Sequence, residues 1–200
     1  QTAIRFGEIS LSYAQLNQRL EDIAAALHHG GLRPGDRVGI LLQRGPDLIP
    51  AMLAAWRVGA LYVPLDISFP AQRLAYMLAD ASVHTVITTR AQLAQTALTL
   101  DSANPLFLED IKLLTAPGNG HTTPATGNHS AILLYTSGST GQPKGVEIRH
   151  AALLNILLAV REYLSFTPAS KMLALTTFSF DISTAELIMP LLAGGCVDLG

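Results

Sequence analysis

The sequence predicts an α/β fold of mainly parallel sheets flanked by helices, and three observations carry that expectation. Helical and strand-like patterns alternate from the N-terminal end, the arrangement that layers helices on a sheet. Hydrophobic residues make up 49% of the 200 and charged residues only 14%, so strands must be covered on both faces. Turn residues separate successive segments with no repeat period and no acidic or basic block, which fits βα units whose parallel strands need crossovers. The same composition excludes disorder of the whole chain.

Taken in order, Ser12 and Gln15 form a capping-box pattern, and Leu16, Leu20, Ile23, Ala24 and Leu27 then fall on one helical stripe. Gly30 and Gly31 end that helix. After the turn residues Pro34, Gly35 and Asp36, the run Val38 to Leu42 is read as a buried strand, and Pro46 suits the first turn of a helix reaching Trp56. The cycle recurs with a strand around Leu61 to Leu65, a helix from near Pro70 to about Ala79 and a strand from His84 to Thr88. Residues 115–130 carry repeated Pro, Gly and Asn with almost no large apolar side chain, and are expected to be a surface loop or sub-domain linker. Beyond it the patterns predict strands Ala131 to Tyr135 and Val146 to Arg149, a helix from about Ala151 to Leu164 and a strand Met172 to Thr176. A last helix from Ser183 to Leu192 leads into a strand, Cys196 to Leu199.

Charge excludes some partners. Thirteen Lys and Arg against fifteen Asp and Glu give a net charge of -2 at pH 7, with no basic excess for nucleic acid or an anionic membrane. The richest apolar stretch, Leu187 to Val197, is too short to span a bilayer and is broken by Pro190, Gly194 and Gly195. A single cysteine, Cys196, forms no internal disulfide and fits a reducing compartment, so a cytoplasmic location is expected. His84, His121, His129 and His150 show no ligand spacing with Cys196 or with carboxylates, and no resident metal site is assigned. The sequence starts at Gln1 without a methionine and stops at Gly200 just past a strand-like run, and is read as a fragment.

The most informative segment runs from Tyr135 to Gly145. Between Thr136 and Gly145 it holds four hydroxyl side chains, three glycines and Lys144, following directly on a buried strand. Glycines let backbone N–H groups approach an anion, hydroxyls add donors, and the lysine supplies a compensating charge. The alternative is a flexible Ser/Gly-rich loop, against which stands the Pro143-Lys144-Gly145 end fixed between two apolar runs. It is not a Walker-type loop, because Pro143 precedes Lys144 and Gly145 follows it where Ser or Thr is required. Nor is it a hydrolase elbow, since Ser137 stands where the first glycine of Gly-x-Ser-x-Gly belongs, so Ser139 is a poor nucleophile. The following residues read as a strand, so the loop is expected to join two strands.

This segment resembles the signature of adenylate-forming (AMP-binding) enzymes, the superfamily of acyl-CoA synthetases, luciferases and peptide-synthetase adenylation domains. Leu11 to Leu16 resembles the first core motif of adenylation domains, Trp56 to Asp66 the second, and Phe178 to Ser183 the fourth. The motifs stand in family order across essentially the whole chain, which is thereby identified as similar to the N-terminal part of the large adenylate-forming domain of a nonribosomal peptide synthetase. The resemblance implies a reaction in which a carboxylate attacks ATP, giving an acyl-adenylate and pyrophosphate, with Mg2+ accompanying ATP. The nucleophile is then the substrate's own, and the enzyme's work is positioning and charge stabilisation. By the same resemblance Thr136, Ser137, Gly138, Ser139, Thr140 and Gly141 hold the phosphates, and Lys144 supports their charge as the catalytic residue.

Asp181, between Phe180 and Ile182, admits two local readings: a helix cap, or a carboxylate in an apolar setting that needs a cationic partner. The resemblance implies the second, pairing Asp181 with the α-ammonium of an amino acid and leaving Ser183 as the cap. Ile182 and Ala185 match pocket-lining positions, and the small Ala185 leaves the pocket open on its side. The implied partners are an amino-acid substrate, a peptidyl carrier protein with its phosphopantetheine arm, and neighbouring synthetase domains. An aryl or fatty acyl-adenylate ligase, and a non-catalytic scaffold of the same fold, are the alternatives; Asp181 discriminates the first and the intact loop with Lys144 argues against the second. The family's later motifs and its small C-terminal domain lie outside this sequence, so the chain alone is expected to be inactive and to expose apolar surface near its C-terminus.

Overall fold

In the computed structural model, residues 1–101, 103–111, 126–137 and 143–200 are described. An N-terminal hairpin, β1 (Thr2–Phe6) and β2 (Ile9–Ser12), turns at Gly7, whose φ of 53° favours glycine. Helix α1 (Tyr13–His29) starts with the expected capping box: Ser12 Oγ accepts from the Gln15 amide, and the Ser12 amide donates to Gln15 Oε1 at 2.8 Å. Leu16, Ile23, Ala24 and Leu27 of the stripe are buried. Next come β3 (Arg37–Ile40), α2 (Leu48–Arg57), β4 (Leu61–Pro64), α3 (Ala71–Asp80), β5 (Thr85–Thr88), α4 (Arg90–Thr96) and β6 (Asn104–Phe107). The chain continues through β7 (Ser130–Thr136), β8 (Lys144–Arg149), α5 (His150–Tyr163), β9 (Lys171–Leu173), α6 (Ile182–Leu192) and β10 (Cys196–Asp198).

Two sheets result. The smaller has the order β2-β1-β10-β9, parallel except for the β1–β2 hairpin; the larger runs β6-β5-β3-β4-β7-β8, parallel except for β7–β8. One core lies where α1, α2 and α6 meet both sheets and includes Tyr62; the other joins Leu74, Met77 and Leu78 of α3 to the opposite face of the larger sheet through Val63 and Val86. Neighbouring Tyr62 and Val63 serve opposite cores because successive strand residues point to opposite faces. The low charged fraction finds its cause here: all four residues of β4 are buried. Because α2 follows β3 onto one face and α3 follows β4 onto the other, the carboxyl ends of β3 and β4 part at a topological switch point, where α/β folds place their ligands.

The expected elements are present, with three differences. Pro46 lies ahead of α2, which starts at Leu48, and it is Pro50 that occupies the first turn, where a missing N–H costs nothing. The strand expected through Thr176 ends at Leu173, because the backbone of Leu175 and Thr176 bonds to the Glu186 carboxylate instead of a strand. The N-terminal hairpin, α4 and β6 went unpredicted: each is short, and β6 is an edge strand that tolerates Pro105. Of the loop at 115–130, residues 115–125 lie outside the described residues, while His129 and Thr126 close a turn at its end with a 3.0 Å bond. Apolar side chains on α5 and beyond it are exposed, among them Leu154, Ile156, Tyr163, Leu175 and Ile182. Among the described residues no helix is long and apolar enough to cross a membrane.

Candidate active site

The glycine-rich loop joins two antiparallel strands, as expected. Register pairs Tyr135 with Gly145 and Thr136 with Lys144, so the loop leaves and re-enters the sheet at one level. Thr136, Ser137 and Lys144 are exposed, and Thr136 Oγ1 approaches the Lys144 carbonyl at 3.5 Å. Two hydroxyls and an ammonium thus stand at the mouth of the hairpin, a donor set suited to phosphate oxygens. Gly138, Ser139, Thr140 and Gly141 lie outside the described residues. Gly145 is closely packed: a Cβ there would lie 3.0 Å from Leu133 Cδ1, so that leucine side chain would have to shift slightly.

Helix α3 supports both ends of the loop, a relationship sequence reasoning missed. The Tyr135 hydroxyl donates to Asp80 Oδ2 at 2.6 Å, and the Tyr76 hydroxyl donates to the Pro143 carbonyl at 3.2 Å. Burial, then the hydrogen bond to the Asp80 carboxylate, pushes the Tyr135 phenol well above its ordinary value, so it stays a donor.

The second group of candidates stands at the start of α6. Asp181 is its N-cap residue, and Asp181 Oδ1 accepts from the Ile182 amide at 2.8 Å. Two expectations need correction. The Asp181 carboxylate is exposed rather than buried, because the chain turns it outward at the helix start. Ser183 is not the cap: it is buried, and its hydroxyl donates to the Phe180 carbonyl at 2.6 Å. Asp181, Ile182 and Ala185 nonetheless share one cavity of about 330 Å³, walled by Ile148 of β8 and by Leu153 and Ile156 of α5. It is an apolar pocket with a single carboxylate at its edge. Strand β8 connects the two groups, starting at Lys144 and reaching the cavity at Ile148.

Arg44, Asp66 and Glu186, none of them singled out by sequence, hold the segment between β9 and Asp181 through hydrogen bonds to its backbone and to the hydroxyls of Thr176 and Thr177. Among the described residues, no group of three or more His, Cys, Asp or Glu is placed to hold a metal ion.

The profile of the family described as AMP-binding enzyme matches residues 1–199. The dimodular nonribosomal peptide synthase of Bacillus subtilis (strain 168) is 37% identical over 199 residues, covering 96% of this chain and 8% of the synthase. Among solved structures, the four-domain nonribosomal peptide synthetase holo-AB3403, bound to AMP and glycine, aligns over 100% of this chain and 14% of its own, with 33% identity and a TM-score of 0.84. The Klebsiella oxytoca NpsA N-terminal subdomain in complex with 3-hydroxybenzoyl-AMSN aligns over 99% of this chain and 49% of its own, with 28% identity and a TM-score of 0.87. The chain therefore spans a small part of the synthase and about half of the solved subdomain.

Proposed function

The chain belongs to the AMP-binding enzyme family, and on that premise we propose that it forms part of an adenylation domain that activates an amino acid with ATP. The products are an aminoacyl-adenylate and pyrophosphate, and the aminoacyl group then passes to a carrier protein as a thioester. The observation that carries the amino-acid reading is the cavity shared by Asp181, Ile182 and Ala185. An exposed carboxylate at the edge of an apolar pocket suits a ligand with an ammonium group next to an apolar side chain. The exposure of Asp181 favours this role, because a carboxylate that bonds only one amide keeps lone pairs for a second partner.

Thr136, Ser137 and Lys144 are the described residues that fit the phosphates, with Gly138 to Gly141 completing the loop. Their role is electrostatic: hydroxyls and ammonium stabilise charge as pyrophosphate departs, while the attacking oxygen belongs to the substrate carboxylate. ATP, with Mg2+ on its phosphates, is the co-substrate in this reading, and Lys144 is its catalytic residue. The relatives named above support the synthetase context, in which a carrier protein and neighbouring domains are the partners.

A second reading, an aryl-acid ligase, draws on the 3-hydroxybenzoyl ligand of the NpsA structure. Pyrophosphate exchange in the full-length protein separates the two, using a panel of amino, hydroxy, aryl and fatty acids. Exchange with one amino acid, lost in Asp181→Ala and in Lys144→Ala, is the expected result. Exchange confined to acids without an α-amine would overturn the amino-acid reading and leave Asp181 a helix cap.

A further inference from the structure

The chain between β9 and α6 carries Asp181 to the edge of the cavity; its last bond to a neighbouring strand is from the Ala174 amide to the Asp198 carbonyl of β10 at 2.8 Å, and residues 175–177 pair with no strand among the described residues. What holds it is a set of charged side chains from three separate places. Arg44, in the loop after β3, donates from its two terminal nitrogens to the carbonyls of Ala174 and Thr176, the latter at 2.8 Å. Asp66, in the loop after β4, accepts from Thr177 Oγ1 at 2.5 Å. Glu186, in the second turn of α6, accepts from the amides of Leu175 and Thr176 at 2.9 and 2.8 Å and from Thr176 Oγ1 at 2.8 Å. Arg44 and Asp66 stand at the switch point of the larger sheet, while Glu186 belongs to the helix that Asp181 caps.

We infer that Arg44, Asp66 and Glu186 form a clamp that positions residues 174–177 and thereby Asp181 for the substrate ammonium; the inference rests on the amino-acid reading of the cavity above. The three are positioning residues: none of them lines that cavity. Arg44 and Asp66 also line a separate cavity of about 190 Å³ together with Leu42, Thr176, Thr177 and Phe178. Ala174 and Phe178 anchor the ends of the segment in the core, while Leu175 is exposed and Thr176 and Thr177 half-buried, so the stretch between them is held by hydrogen bonds. Asp66 is itself fixed, its other oxygen accepting from the Ser68 amide at 2.9 Å and the Ser68 hydroxyl at 2.7 Å. Burial alone would raise the Asp66 carboxyl; the bonds from Thr177 and Ser68, with Arg73 nearby, outweigh it and hold the group below the usual carboxylate range. Arg44 must span two carbonyls two residues apart, which a guanidinium fork does and an ammonium does not.

The substitutions Arg44→Lys, Asp66→Asn and Glu186→Gln test this in the full-length protein by pyrophosphate exchange, titrating acid and ATP separately. A displaced Asp181 is expected to lower kcat/KM for the amino acid by about ten- to a hundredfold, with KM for ATP within about twofold of wild type. Equal losses toward both substrates, or no loss in a folded variant, would overturn the clamp. Thr177→Val and Thr177→Ser address the same point with a smaller change: valine is expected to reproduce the split and serine to restore wild-type values, and a serine variant as impaired as valine would count against the hydroxyl's role. Amide hydrogen exchange gives a readout independent of catalysis. Faster exchange at Leu175, Thr176 and Ile182 in Glu186→Gln is expected, and unchanged protection at Ile182 would overturn the coupling to Asp181. Should wild type activate only acids lacking an amine, the amino-acid reading fails, while the exchange protections still report whether the clamp holds the segment.

Discussion

Tyr135 and Asp80 are joined by a 2.6 Å hydrogen bond that ties the residue entering the glycine-rich loop to the last residue of α3. Tyr135 is buried whereas Asp80 is exposed, so the phenol relies on the bond more than the carboxylate does. The Tyr76 and Tyr135 rings meet edge to face, with centroids 6.5 Å apart, and the Tyr76 hydroxyl reaches the far end of the loop at Pro143. One helix thus sets the spacing of both loop ends.

Removing the Tyr135 hydroxyl leaves the ring and its packing in place. Tyr135→Phe is expected to cost about 1 kcal/mol, the net worth of one such bond, because water re-solvates the exposed Asp80 carboxylate. Urea unfolding checks this: the midpoint should fall with an unchanged slope. A neutral result would show that the bond is not formed in solution.

Tyr76→Phe acts on the loop rather than on the core. Without the bond to the Pro143 carbonyl, the Lys144 end of the hairpin has one restraint fewer. The expected outcome is a several-fold rise in KM for ATP in pyrophosphate exchange, with KM for the amino acid unchanged. A rise confined to the amino acid would contradict the assignment of this loop to phosphate.

Lys144 is exposed at the start of β8, outside both apolar cores. Lys144→Ala should therefore leave stability within about 0.5 kcal/mol, as exposed substitutions do. Exchange activity is expected to fall about a hundredfold or more, the usual cost of removing one stabilising group from a developing charge. Thermal unfolding beside the exchange assay separates lost chemistry from lost fold.

Much of this was legible in the sequence for local reasons. The Ser12–Gln15 box, the α1 stripe, and the β strand–loop–β strand arrangement around Lys144 follow from residue type and spacing alone. The arrangement of charged groups around residues 174–177 was not legible, because Arg44, Asp66 and Glu186 come from three segments far apart in sequence and no local pattern links them. Asp181 shows the limit from the other side. Its apolar neighbours in sequence implied burial, but Phe180 and Ile182 are themselves exposed, at 60% and 56%, so the apolar run says nothing of depth. Short elements such as α4 and β6 were missed because four to seven residues hold too few repeats of any period.

His150 introduces a pH dependence of stability. It is the first residue of α5, set edge-on to Trp56 with centroids 5.4 Å apart, and burial, then the charge of His129, lowers its pKa below the ordinary 6.5. The folded state therefore favours the neutral imidazole while the unfolded chain takes up a proton first. That contribution is complete above 6.5 and is lost as pH falls through the lower folded value. Replacing the imidazole in His150→Asn should flatten the decline in Tm between about pH 7 and 5 relative to wild type. Parallel profiles for the two proteins would show that His150 titrates normally.

Gly39 and Gly195 distinguish two kinds of close approach. A Cβ on Gly39 would lie 2.8 Å from Leu65 Cδ1, and one on Gly195 would lie 2.8 Å from both the Ser170 carbonyl oxygen and Phe166 Cε1. Leu65 ends in a methyl that can rotate away, at the cost of a poorer rotamer. The Ser170 carbonyl cannot withdraw in that way, because it accepts from the Cys196 amide at 3.0 Å and so starts the pairing of β9 with β10. Gly195→Ala must then open that pairing, while Gly39→Ala need only repack a side chain. Overpacking at Gly39 is expected to cost about 1–2 kcal/mol and at Gly195 about 3 kcal/mol or more. Urea midpoints of the two variants in one background decide it: a Gly39→Ala penalty equal to or above that of Gly195→Ala would mean that the core beneath β3 yields less than the β9–β10 edge, and that the smaller sheet is the softer of the two.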